Sequence, residues 1–320
     1  MKYRTINAVT PVAYNSRRSR IRNFLKRAGS CWQLYLLLTP AFLYILIFAY
    51  QPMYGLQIAF KDFRSNLGIA GSEWVGFTHF IRFVTFPNFW LYIRNTLLIS
   101  LYSICTFPCS IILALAINEL QNRAFKRTVQ MITYAPYFIS TVVLCGMIMV
   151  FFDKDAGIVN SFIKMFGGAP VAFMNKSEYF RSIYVLSGVW QTVGWGTIIY
   201  LAALSGVSPE LIEAARIDGA NRIHVIRHIN LPTIAPTITI LFIMNFGSIL
   251  SVGFEKIYLL QNPLNLSVSQ VLSTYVYEVG LVSAQYSYSS AIGLFNTVIN
   301  LLLLIIVNIV VKRVTSVSLW

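Results

Sequence analysis

Apolar residues are gathered into six long runs separated by short polar stretches. The runs fall at about Trp32–Phe60, Trp90–Asn118, Val129–Phe152, Ser182–Leu204, Ile234–Leu259 and Ser289–Val311. A helix needs roughly 20 residues to cross a bilayer, and each run is long enough. The pattern predicts an all-α, polytopic membrane protein with six transmembrane helices. Pro40 and Pro136 lie inside the first and third runs and predict kinks there. Two stretches between runs, about 61–89 and 153–181, carry aromatics and glycines, as in GSEWVGFTHF, and predict short interfacial helices. No repeat of 20–50 residues and no low-complexity tract is present.

Composition agrees with the pattern. Of the 320 residues, 57% are hydrophobic and 11% are charged, where a water-soluble domain carries about a quarter. The charge needed to coat a water-facing surface is missing. A net charge of +14 would suggest nucleic acid in a soluble protein, but here its placement matters more. Lys2, Arg4, Arg17, Arg18, Arg20, Arg22, Lys26 and Arg27 crowd the N-terminal tail with no acid among them. Arg123, Lys126, Arg127, Arg216, Arg222, Arg227, Lys312 and Arg313 fall on the same side of a six-span arrangement. The opposite side carries half as many, including Lys176 and Lys256. This bias places both termini in the cytoplasm and implies no nucleic-acid partner. The first apolar run is too long for a secretory signal and lacks a small-residue cleavage site, so it reads as an uncleaved span. The expected segments are a basic tail at 1–31, a first helix with its outer loop at 32–89, a transmembrane core at 90–312 and a short tail at 313–320.

Between the fourth and fifth runs lies SGVSPELIEAARIDGANRIHVIRHINLP, a polar insert of helical character. Ser208 is suited to an N-cap, Pro209 to the first helical position and Glu210 to the first turn. Gly219 can end that helix in the left-handed conformation. A second helix is expected from about Asn221, with Ile223, Ile226 and Ile229 three apart, stopping before Pro232. Ala214 and Ala215 beside Glu213 make a small-residue surface with one acid at its edge, the shape of a docking knob. An amphipathic helix lying on the lipid surface is the competing reading.

The insert resembles the signature of the permeases of binding-protein-dependent ABC importers, the type I, MetI-like fold: E-A-A, three residues, G, nine residues, I, one residue, L-P. Every fixed position is present, as Glu213, Ala214, Ala215, Gly219, Ile229, Leu231 and Pro232, with Asp218 beside the glycine. The resemblance implies that residues 208–231 form the cytoplasmic coupling helices that seat in an ATPase subunit. PMYGLQIAFKDF, EWVGFTHF, NTLLIS, RTVQMITYAPYFIS and GVWQTVGWGTIIYLAAL are similar to the sugar branch of that family, the LplB/YteP type of oligosaccharide permease. By that resemblance the chain is a transport subunit and not an enzyme. It would work in a bacterial cell membrane with an ABC ATPase dimer, a second homologous permease, an extracellular solute-binding protein and an oligosaccharide substrate. The phosphate-cradling pattern G-x-x-x-x-G-K-[ST] occurs nowhere in the chain, so ATP and Mg²⁺ are expected on the partner ATPase, with no cofactor in this chain.

Polar and aromatic residues inside apolar runs are candidates for the solute path: Trp190, Gln191, Trp195, Asn245, Ser248 and Glu255. Aromatic faces and amides suit sugars, which present C–H patches ringed by hydroxyls. The same residues serve equally in helix packing and interfacial belts. His224 and His228 have a zinc-ligand spacing but no third ligand nearby, and no metal site is expected. No catalytic constellation is present. Rival functions are an ABC permease for a non-sugar solute, a standalone secondary transporter and a membrane-embedded enzyme.

Overall fold

The computed structural model describes residues 32–315 and 318–319. The basic tail expected at 1–31 lies outside the described residues. The chain divides into two compact units, Met1–Gln57 and Ile58–Trp320.

The described part of the first unit is helical. Helix α1 covers Trp32–Ile45, with Pro40 inside it, and passes into a π turn at Leu46–Tyr50. A 3₁₀ segment, Gln51–Phe60, completes the expected first span of 29 residues and runs across the boundary between the units.

The second unit opens with a two-stranded antiparallel ladder that the hydrophobic pattern does not announce. Strand β1 (Lys61–Asp62) pairs with β2 (Glu73–Trp74), and the short helix α2 (Gly68–Gly71) lies between them. Helix α3 (Thr78–Val84) follows. The second span is Phe89–Asn118, made of α4 (Phe89–Cys105) and α5 (Pro108–Asn118). The break falls where Pro108 cannot donate to the preceding turn, so the proline opens a new helix instead.

The third run is not one straight helix. Helix α6 (Arg123–Tyr134) starts on Asn122, whose Oδ1 accepts the N–H groups of Ala124 and Phe125. A 3₁₀ turn at Ala135–Phe138 and extended backbone at Ile139–Ser140 then turn the chain by 99° into α7 (Thr141–Phe151). The physical cause is Pro136, which removes a helical donor, followed by Ser140, whose hydroxyl accepts from Val143 N–H and restarts the helix. After α7, Asp153 Oδ1 accepts from Asp155 and Ala156, and the Ala156 bond first of all holds its carboxyl below the usual range. Helix α8 (Ile158–Met165) is a short helix within the stretch 153–181.

Helix α9 (Ser177–Leu204) covers the expected fourth run and starts five residues before the expected Ser182. Helices α10 (Pro209–Ile217) and α11 (Arg222–Val225) form the polar insert. The fifth span is displaced from its expected place at Ile234–Leu259. It runs from Arg222 to Phe246 through a π turn at Ile226–Asn230 and helix α12 (Leu231–Phe246). Beyond Phe246 the backbone leaves the helix, because Asn300 Oδ1 accepts Leu250 N–H at 3.0 Å and Asn300 Nδ2 donates to Ser251 Oγ at 3.0 Å. A separate helix α13 (Phe254–Leu260) follows, then α14 (Leu266–Ser269), α15 (Leu272–Tyr277) and the final span α16 (Tyr286–Thr315). Among the described residues, four helices can cross a membrane by length and composition, and up to six can if each of two bent pairs counts as one span.

Three apolar clusters hold the second unit together. Ile99, Leu144, Ile148, Phe180, Ile183 and Ile257 join α4, α7, α9 and α13. Phe83, Phe89, Tyr92, Tyr275, Tyr288 and Ile292 join α3, α4, α15 and α16. Ile111, Leu115, Tyr200, Leu204 and Ile234 join α5, α9 and α12. Helix α9 lies in two of the three. Its packing is closest at Gly194, where an added Cβ would stand 2.0 Å from the Thr133 carbonyl oxygen of α6. Small residues let helices approach in this way. Gly194→Ala is therefore expected to destabilise the protein by about 1–3 kcal/mol through overpacking. Gly293→Ala, on α16 with nothing within 4 Å of the new methyl, should be neutral. Thermal unfolding in detergent compares the two directly.

Candidate functional site

The polar insert begins where α9 ends. The chain bends by 80° between α9 and α10. Ser208 takes the extended backbone of an N-cap, as its place in the sequence suggests, but its hydroxyl makes no capping bond. Pro209 fills the first helical position and Glu210 the first turn. Helix α10 is closed by Gly219 in the left-handed conformation, φ +84°. Gly219 N–H donates to the Arg216 oxygen at 3.1 Å and Ala220 N–H to the Ala215 oxygen at 2.9 Å. Those two bonds are the Schellman pattern and satisfy carbonyls that a helix end would otherwise strand. Asn221 Oδ1 then accepts from His224 N–H and starts α11.

The second helix of the insert does not stop before Pro232. The π turn intervenes, with Leu231 N–H donating to the Ile226 oxygen. The wider turn moves the carbonyl that the pyrrolidine ring would strike, and Pro232 sits in the first turn of α12, where its missing donor costs little. The insert therefore leads without a break into the fifth span.

Glu213, Ala214, Asp218 and Gly219 are exposed, and Ala215 is half-buried. Leu211 and Ile223 are exposed beside them, and Ile217 is 86% exposed. This is a small-residue surface with apolar neighbours and acids at its edge. Ile229 is half-buried, whereas Leu231 and Pro232 are exposed. Ile226 packs on the cluster of Ile111, Leu115, Tyr200, Leu204 and Ile234, which ties the insert to α5, α9 and α12. Asn230 beside the signature isoleucine is buried, and its side-chain oxygen and nitrogen have no partner. The His224 and His228 rings stack at 6.0 Å, and His228 Nδ1 lies 3.1 Å from the His224 oxygen.

The second region is a cavity of about 580 Å³ along α9, within the usual size of small-molecule sites of about 300–1,000 Å³. On α9, Tyr184, Gly188, Gln191, Trp195 and Ile199 line it three and four residues apart, and Val185, Thr192 and Gly196 widen that face. The expected residues Gln191, Trp195 and Asn245 meet there. Trp195 stacks on Tyr137 with centroids 4.4 Å apart and planes at 4°, and Phe138 meets it edge-on. Gln191 Nε2 donates to the Ile139 oxygen at 2.8 Å, so this amide also supports the bent backbone after Pro136. Ser248 lines a smaller adjoining cavity that shares Ser103, Tyr184, Asn245 and Gly253 with the first.

Two expected path residues lie elsewhere. Trp190 lines an apolar groove with Ile148, Phe173, Ile183 and Leu186, because one residue along a helix turns the side chain by about 100° from Gln191. Glu255 is exposed on α13 and lines neither polar cavity. Its neighbour Lys256, counted with the outer loops by sequence, is instead buried and lines the large cavity. Tyr184, Ser110 and Thr141 were also absent from the expected set. The 3–4 spacing on α9 was a readable signal for Tyr184. Nothing local marked Lys256, which reaches the cavity only because α13 is a separate helix.

The geometry agrees with known proteins. Residues 106–316 match the model of the binding-protein-dependent transport system inner membrane component. The chain belongs to this family of transport permeases. The permease is 43% identical to the polygalacturonan/rhamnogalacturonan transport system permease protein YteP of Bacillus subtilis (strain 168), over 88% of each chain. It is 44% identical to Protein LplB of the same organism, again over 88% of each chain. It is also similar to a chain in the crystal structure of a bacterial alginate ABC transporter in complex with an alginate pentasaccharide-bound periplasmic protein. That match has a TM-score of 0.84 and 39% identity, and covers 92% of the permease and 99% of the other chain. The permease is thus a multi-pass membrane protein.

The Schellman stop gives a local test. Gly219→Ala forces an alanine into the left-handed region at a cost of about 1–2 kcal/mol. Hydrogen exchange at the Ala220 amide should speed up by about fivefold or more, since 1.4 kcal/mol corresponds to a factor of ten.

Proposed function

We propose that this permease is the transmembrane subunit of an ATP-driven importer that carries an oligosaccharide into a bacterial cell. The observation that carries the reading is the exposed α10–α11 insert, which presents Glu213, Ala214, Ala215 and Gly219 of the signature and passes directly through Ile229 into Leu231 and Pro232 of the fifth span. In this reading Glu213, Ala214, Ala215, Asp218 and Gly219 contact a cleft of an ABC ATPase. Ile229, Leu231 and Pro232 carry the motion into the fifth span.

Two ATPase copies would bind ATP and Mg²⁺, and a second homologous permease would complete the pore. An extracellular solute-binding protein would deliver the sugar, and both termini would lie in the cytoplasm. The excess of basic residues on the insert's side supports that orientation. The ATPase cycle would bias which side the path opens to. The names of the similar proteins support carbohydrate cargo, and so does a cavity that combines the Trp195 face with the Gln191 and Asn245 amides.

Purification of the tagged permease from its own membrane in mild detergent tests the assembly. A P-loop ATPase and a second signature-bearing permease should be recovered with it. Recovery of the permease alone, active in liposomes without ATP, would overturn the reading.

Gly219→Pro imposes φ near −65° where +84° is required and deletes the N–H that bonds Arg216. It should leave the chain in the membrane and reduce ATP-driven uptake at least tenfold, as should Glu213→Lys. Uptake at the normal rate by Gly219→Pro would remove the coupling assignment. Transport of only amino acids or metal ions would remove the carbohydrate assignment.

A further inference from the structure

The large cavity has a single charged residue in its wall. Lys256 is 9% exposed, and no Asp, Glu, Arg or His joins it among the lining residues. Its ammonium donates to the Tyr184 carbonyl oxygen at 2.8 Å and lies 4.8 Å from the centroid of the Tyr184 ring. A carbonyl oxygen and an aromatic face both favour a cation, but neither neutralises it. Buried charges are normally paired with an opposite charge. The Arg64–Asp62 and Lys176–Glu178 ion pairs do not involve Lys256, and none of the described residues pairs with it. The neighbouring acid, Glu255, lies on the exposed side of α13. The cavity is therefore a positive site whose counter-charge none of the described residues supplies.

We propose that Lys256 is the counter-charge for a carboxylate on the transported sugar, and that the cargo is an acidic, uronate-bearing oligosaccharide. The inference rests on the carbohydrate reading above and deepens it. The remaining wall fits the rest of such a ligand. Trp195 offers a face for the C–H patch of a sugar ring, and Gln191, Asn245, Thr141 and Thr192 offer neutral hydrogen-bonding groups for hydroxyls. Gly188 faces the ammonium, and a Cβ there would stand in van der Waals contact with Nζ at 3.4 Å. A single cation also suits passage. It attracts one carboxylate at a time in a low-dielectric wall, yet holds too few charges to trap a chain of them.

The test uses the full assembly, with the partners that purify with it, in proteoliposomes supplied with ATP. The probes are a galacturonic acid trisaccharide and its fully methyl-esterified form, which keeps the sugar frame and loses the charge. Wild type should prefer the acid. Lys256→Gln should lower the acid-to-ester uptake ratio at least tenfold, and Lys256→Arg should restore most of it. Recovery of the partner ATPase with each variant checks that the assembly is intact.

A Lys256→Gln ratio equal to wild type would overturn the proposal. So would equal losses of acid and ester uptake without rescue by arginine, since those mark a structural role. Wild-type preference for the ester would do the same. Wild type that moves neither probe would also overturn the proposal, and uptake of a neutral oligosaccharide by the same assembly would show that the carbohydrate reading still stands.

Discussion

Backbone N–H and C=O groups at membrane depth have no water to satisfy them, so every departure from helix in this protein needs a partner from elsewhere in the fold. Side-chain amides supply most of these partners. Gln191 of α9 donates to the Ile139 oxygen where the third span turns by 99°. Asn300 of α16 accepts from Leu250 where the fifth span ends. Asn95 of α4 donates to the oxygens of Ser267 and Gln270, and Thr96 accepts from Leu272 N–H. Asn262 and Asn265 hold the turn after α13 and reach the Met174 oxygen. Removal of any of these amides would leave a backbone group unpaired in an apolar setting, which costs more than the bond itself contributes.

These breaks create the cavity. An unbroken third span would run past α9, and an unbroken fifth span would carry Lys256 away from it. Because the chain bends at Ile139 and leaves helix after Phe246, polar residues from α5, α7, α9, α12 and α13 converge on one face of α9. Gly194 and Gly196 let α6 and α5 close on that helix, where added Cβ atoms would stand 2.0 Å from Thr133 O and 2.6 Å from Ser110 Oγ. Trp190 lies away from the cavity, in a groove that it lines with Leu144, Ile148, Phe152 and Phe173.

The insert and the cavity share their supports. Leu204 ends α9 just before the insert, and Ile234 lies in α12 just after it. Both lie in one buried cluster with Ile111, Leu115 and Tyr200. A push on α10 therefore meets helices that also wall the cavity. The π turn at Ile226–Asn230 and the unpartnered amide of Asn230 lie on this route. π turns of this kind recur at functional positions in helices.

The sequence alone determined the membrane class, the number of apolar runs and the position of the insert. Hydropathy over twenty residues and a fixed-spacing signature are local properties. The helix stop at Gly219 was legible for the same reason, because a left-handed residue and its two bonds involve only neighbours in the chain. Gln191 and Trp195 were legible as polar and aromatic interruptions of an apolar run. Tertiary structure alone decided where the third and fifth runs bend, since Ile139 and Leu250 find their partners on helices tens of residues away. It also decided which candidates face the cavity. Trp190 and Gln191 are neighbours in sequence but point about 100° apart, and Glu255 and Lys256 divide in the same way between surface and interior. Composition does not distinguish a lysine in a loop from a lysine in a cavity wall. That difference arises only when α13 packs against α9 and sets Lys256 beside Tyr184 in the cavity wall.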